Sequence, residues 1–108
     1  MAKTNKIIWR KDCLRQIKEI RKYIAFGSPI AAKKVVQGIR ERIIILEKEP
    51  FAGPIEETFI QFGLEYRYLV QGNYKILYTH FNDVVYISSV FDTRRNPDMM
   101  GQSISDTE

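Results

Sequence analysis

Apolar residues along this chain change period twice, and the changes mark out its elements. Ile7-Ile8-Trp9 is a short apolar run bounded by polar residues, which predicts a strand. From Asp12 the period lengthens. Leu14, Ile17, Ile20 and Ile24 recur at three- and four-residue spacing, the stripe of an amphipathic helix that only Arg21 interrupts. Asp12 is the expected cap, and the helix should end near Gly27. Ser28-Pro29 then reads as a second start, a capping hydroxyl followed by a proline whose missing N–H is no loss at the first helical position. Ala31, Val35, Ile39, Ile43 and Leu46 form the expected buried stripe of this second helix. Ala31-Ala32 are small enough for the two helices to approach closely. Pro50, Gly53 and Pro54 end it.

Beyond Glu65 the apolar residues alternate instead. Tyr66 to Val70, Tyr74 to Tyr78 and Val84 to Phe91 are rich in aromatic and β-branched side chains. Gly72-Asn73 and Asn82-Asp83 stand between them and tolerate positive φ, so a three-stranded meander with tight turns is predicted. Residues 55–63 alternate apolar and acidic without a decisive period. With two-residue turns, Arg67, Leu69, Ile76, Tyr78, Ile87, Ser89 and Phe91 share one face, the expected core face. Tyr66, Tyr68, Val70, Lys75, Leu77, Tyr86, Ser88 and Val90 share the other, which leaves Lys75 and several tyrosines outside. Strand, two helices and three strands make an α+β fold, a helical hairpin covering one face of an antiparallel sheet.

At 108 residues the chain has room for one core. A single domain is expected over residues 1–97, followed by a mobile tail over 98–108 that lacks any periodicity. No run approaches the roughly 18 apolar residues of a membrane span, and Arg10 and Lys11 interrupt the first apolar run too early for a secretory signal. The cytoplasm is therefore the expected compartment. One cysteine, Cys13, rules out an internal disulfide, and with His80 the sole histidine no metal or other cofactor is expected.

Charge adds a division that the net +4 conceals. Residues 1–48 carry 13 Lys/Arg against 4 Asp/Glu, and residues 49–108 carry 4 against 9. The N-terminal half is thus a basic surface that draws anionic partners, or simply a pair of solvated helices. A second concentration of cations lies at the end of the last strand, where Arg94 and Arg95 stand as order gives way to a loop.

Ile20-Arg21-Lys22-Tyr23-Ile24, Ser28-Pro29 with Ala31-Ala32 and Val35, the Leu46, Pro50, Gly53 spacing, Tyr66-Arg67-Tyr68-Leu69-Val70, Tyr74-Lys75-Ile76-Leu77-Tyr78 and Arg94-Arg95-Asn96-Pro97 together resemble the ParE/RelE toxin superfamily. The likeness spans about residues 5–97. It implies the toxin of a type II toxin–antitoxin pair, also called a plasmid stabilization protein, which inhibits bacterial growth until a cognate antitoxin wraps it. It leaves open a homodimer or a toxin–antitoxin hetero-oligomer.

The superfamily holds two mechanisms, gyrase poisons of the ParE kind and ribosome-dependent messenger RNA endoribonucleases of the RelE kind. Cleavage through a 2′-hydroxyl needs a proton acceptor, stabilisation of the phosphorane charge and a proton for the leaving oxygen. The resemblance puts Lys75 where the nuclease pattern has a strand arginine, and Arg94 or Arg95 where it has a second. The tyrosine or histidine-tyrosine pair that follows in nucleases is replaced by Pro97-Asp98-Met99-Met100. The two helices and the Arg-Arg-Asn-Pro ending favour the ParE branch, a binding toxin without chemistry directed at DNA gyrase. The alternatives are the nuclease, acting with ribosome and messenger RNA, and an inactivated relative that keeps only antitoxin binding.

Lys75, Arg94 and Arg95 are accordingly the candidate target-binding residues, and the catalytic set if the chain is a nuclease. Arg67 is a structural or binding residue, with Glu65, Glu56 or Glu57 as its expected ion-pair partner. His80 has no nucleophile beside it and reads as an exposed or half-buried sheet residue, and Cys13 as inert packing. Phe26, Ile30, Ile44 and Ile45 fall off the helical stripes and should be exposed.

Overall fold

The computed structural model describes residues 4–63 and 65–94; Arg95 and the expected tail over 98–108 lie outside them. Five strands and two helices follow in the order β1 (Lys6–Trp9), α1 (Lys11–Ala25), α2 (Pro29–Ile44), β2 (Ile55–Glu56), β3 (Tyr66–Gln71), β4 (Tyr74–Phe81) and β5 (Val84–Asp92). One sheet has the strand order β1-β5-β4-β3-β2. β1 runs parallel to β5, and the remaining pairs are antiparallel. The parallel return from β1 to β5 needs a long crossover, and the helical hairpin lies within it.

Both hairpin turns form as the sequence predicts. Asn82 and Asp83 have φ of 49° and 64°, the mirror-image turn that suits the twist of paired strands. Gly72 has φ 60°, so a β-carbon there would be strained. At the start of α2, Ser28 Oγ accepts the Ala31 N–H at 3.2 Å and Pro29 takes the first helical position.

Asp12 does not cap α1. The helix begins two residues earlier, with Arg10 as its cap, because the Arg10 N–H still donates to Ile87 O at 3.1 Å and carries the strand ladder up to the helix. Asp12 falls in the first turn and pairs with Arg15 at 3.4 Å, where its charge still suits the positive helix end. The buried stripe is likewise rotated by one residue at each helix start. Cys13 is buried in place of Leu14, and Ala32 in place of Ala31. Ile17, Ile20, Ile39, Ile43 and Leu46 are buried as expected and pack on Leu69, Ile76, Tyr78, Val85 and Ile87 of the sheet.

The face assignment for β5 inverts toward its end. Ile76 pairs with Val90 and Leu77 with Ser89, but Tyr78 pairs with Ile87, so β5 carries one extra residue in a bulge. The extra residue reverses the alternation. Val90 joins the helix-side core, and Phe91, expected there, turns to the opposite face. Gln16 of α1 takes up the polar groups of the bulge, its Oε1 accepting from Val90 N at 2.8 Å and Ser89 Oγ at 3.1 Å. That opposite face is not open either. Residues 57–62 coil into a 3-10 turn that sets Phe59 against Leu77 and Phe91, with Tyr66 and Tyr68 alongside.

Candidate functional site

The β4 register places Lys75 opposite Val70 and Phe91, on the sheet face away from the helices. It was expected outside, and the 3-10 turn encloses it. Lys75 Nζ donates to both Glu56 carboxylate oxygens, at 3.1 and 3.3 Å, and stands 4.3 Å from the centre of the Tyr68 ring. The two charged side chains are only 18% and 10% exposed. Thr58 Oγ1 donates to Glu56 as well, at 3.1 Å. A cation neutralised this closely offers little field to an outside phosphate.

Arg67 on β3 braces the loop before β2. Its Nη1 donates to Gly53 O at 2.8 Å and its guanidinium lies 5.0 Å from the centre of the Phe51 ring. Of the three carboxylates expected, Glu65 stands 3.9 Å from Nη2, while Glu56 is engaged by Lys75.

Arg94 is differently placed. Thr93 donates from N and Oγ1 to Asn73 O at 3.0 Å, which ties the end of β5 to the β3–β4 turn. Just beyond, the Arg94 N–H donates to Asp92 Oδ1 at 2.8 Å, and its Nε and Nη2 fork onto the same carboxylate at 3.3 and 3.2 Å. The hydrogen bond to Asp92, and then that residue's charge, raise the guanidinium pKa further, with Tyr74 and Tyr23 adding to the effect. The group is oriented and permanently charged, yet its side chain is 64% exposed. Lys75 thus lies within the sheet beneath the 3-10 turn, whereas Arg94 stands past the end of β5. Arg95 lies outside the described residues.

His80 is half-buried, its Nε2 3.0 Å from Asn5 Oδ1 and its ring edge-on to Phe51. Cys13 is fully buried, and desolvation pushes its thiol up to about 12, far from a reactive thiolate. Among the described residues no group of three or more His, Cys, Asp or Glu could hold a metal ion, and no helix is long and apolar enough to cross a membrane. Phe26, Ile30, Ile44 and Ile45 are exposed as expected; Phe26 and Ile30, with Tyr23, form an apolar tip on the helical hairpin. The sequence offers Glu56 as a partner for Arg67, whereas its role toward Lys75 depends on a fold in residues 55–63 that no periodicity announces.

A helical hairpin on one face of a five-stranded sheet, with an arginine held at the end of the last strand, defines an α+β domain of the ParE/RelE kind. The family model described as the ParE toxin of the type II toxin–antitoxin system, parDE, matches residues 7–97, and the chain belongs to that family. No curated protein matches it. A solved structure of the chromosomal ParDE TA system from P. aeruginosa shares the fold, with a TM-score of 0.68 at 16% identity, over 82% of this chain and 96% of that one.

Proposed function

We propose that this chain is a growth-inhibiting toxin that binds DNA gyrase in the cytoplasm, and that a cognate antitoxin neutralises it. The observation that carries the choice of a binder over a nuclease is the Lys75–Glu56 pair. A nuclease would need that strand cation free to meet the phosphorane, and here both carboxylate oxygens and an aromatic face engage it. Arg94 is the target-binding residue in this reading, because its guanidinium, though paired with Asp92, is held in place and 64% exposed, whereas Lys75 is enclosed. Arg95, the next residue in sequence, is proposed as a target-binding residue with it. Such a toxin acts by binding one state of the topoisomerase better than another, the cleaved-DNA state, and so shifts the population. Family membership supports the antitoxin, as does the ParDE structure that shares the fold.

Pulse labelling of DNA and protein synthesis after induction without antitoxin tests the reading. DNA synthesis should fall first, and the purified chain should inhibit supercoiling by gyrase. An early collapse of protein synthesis with cut messenger RNA overturns it in favour of the ribosome-dependent nuclease.

A further inference from the structure

Arg21 interrupts the apolar stripe of α1, and gyrase binding through the strand end gives it no part. The structure sets it on the wall of an open cleft of about 490 Å³ between α1 and α2, which Lys33 and Arg40 also line. Residues 10–44 carry ten Lys/Arg against three Asp/Glu. Asp12 and Glu19 pair with Arg15 at 3.4 and 4.0 Å, and Glu41 accepts from Gln37 at 3.0 Å. Among the described residues, the ion pairs involve Arg15, Arg67, Lys75 and Arg94, and neither Arg21 nor Lys33 takes part in one. Arg40 lies 5.8 Å from the centre of the Trp9 ring, a contact that holds its guanidinium without neutralising it.

We propose that this cleft and the basic face around it bind double-stranded DNA through its phosphates. Lys11, Lys18, Arg21 and Lys22 are exposed along α1, spread over roughly 16 Å at the helical rise. A rigid, predominantly basic face of this length suits a regular polyanion, which offers one charge per ~1.7 Å of duplex. A short acidic segment would neutralise only part of it. Contacts of this kind carry no sequence information, so any duplex serves. The choice of DNA over RNA rests on the gyrase reading, since a toxin that traps cleaved DNA on its enzyme works beside a duplex. The DNA contact then adds affinity for the enzyme–DNA complex over the free enzyme.

Fluorescence anisotropy of the full chain with a duplex of about 20 base pairs, titrated between 50 and 200 mM salt, tests this directly. Neutralising about four phosphates weakens binding about 150-fold over that range. In the double variant Arg21→Ala, Lys33→Ala the loss should shrink to about 12-fold, with an unchanged melting temperature because both side chains are exposed. Lys48→Ala, off the hairpin, should keep the wild-type salt dependence. No binding at 50 mM, or a wild-type salt dependence in the double variant, overturns the proposal. Tighter binding of poly-glutamate or of single-stranded RNA of equal charge also overturns it, and assigns the cleft to that partner instead. Gyrase is absent from this measurement. Duplex binding without inhibition of supercoiling would therefore count against the gyrase reading alone, and inhibition without duplex binding against the cleft alone.

Discussion

The Gly53 N–H donates to Tyr78 Oη across 2.9 Å of buried space, joining the loop after α2 to the centre of β4. The same approach leaves no room for a side chain. A β-carbon on Gly53 would lie 2.2 Å from Tyr68 O and 2.9 Å from Tyr78 Oη. Arg67 completes the clamp by donating to Gly53 O at 2.8 Å. Both polar groups of this one glycine are thus satisfied by side chains of two strands, so its buried backbone is left with no unpaired donor or acceptor.

Tyr78→Phe should destabilise the protein by about 1–3 kcal/mol, since it strands the buried Gly53 N–H with little change of shape. Gly53→Ala should be worse, because its clash is with backbone. Urea denaturation of both variants decides the order, and a Tyr78→Phe variant as stable as the wild type would show that water replaces the hydroxyl.

Lys75→Met should cost about 1.5–3 kcal/mol, because it leaves the largely buried Glu56 charge with Thr58 but without its main partner. Adding Glu56→Gln should recover part of the loss, which a double-mutant cycle measures. Additive losses would mean that the pair is not coupled.

Arg94→Ala should abolish growth arrest while the chain stays folded, with a small loss of stability because Asp92, whose side chain is only 8% exposed, loses the guanidinium and keeps the backbone N–H of residue 94. Induction in a host without antitoxin, beside a thermal melt of the purified variant, gives both readouts. Full toxicity with Arg94 gone would remove it from the target-binding surface.

Cys13 should resist thiol reagents in the native state at pH 8 and react at once in denaturant, because it is fully buried with a thiol pushed up to about 12. The same burial sets a pH dependence. Above the ordinary thiol value of 9.0 the unfolded chain loses a proton that the folded chain keeps, so stability falls as pH rises toward about 12. Burial also raises Tyr78 above 10.0, which extends the decline. Cys13→Ala should make the fall above pH 9 shallower by up to about 1.4 kcal/mol per pH unit. Equal slopes in the two proteins would count against the burial of that thiol.

Local chemistry determined much of this protein before any contact formed. Ser28-Pro29 starts α2, Gly72-Asn73 and Asn82-Asp83 close the hairpins, and the apolar period separates helices from strands; each signal acts within a few residues and needs no distant partner. The ordered set of motifs likewise carried the family, because it spans about residues 5–97, most of the chain. The facing of single residues depended on tertiary structure. Leu14 and Cys13 are neighbours on one helix, and only the sheet beneath decides which is buried. A single extra residue at Ser88-Ser89 turns Val90 inward and Phe91 outward, and Gln16, more than seventy residues away in sequence, satisfies the polar groups of that bulge. Lys75 shows the same limit most clearly. Its alternation predicts an open face, yet the aperiodic segment over 55–63 returns to cover it with Glu56 and Phe59. Whether a strand cation is free to bind or already paired is a property of what the rest of the chain packs against it, and no local pattern encodes that.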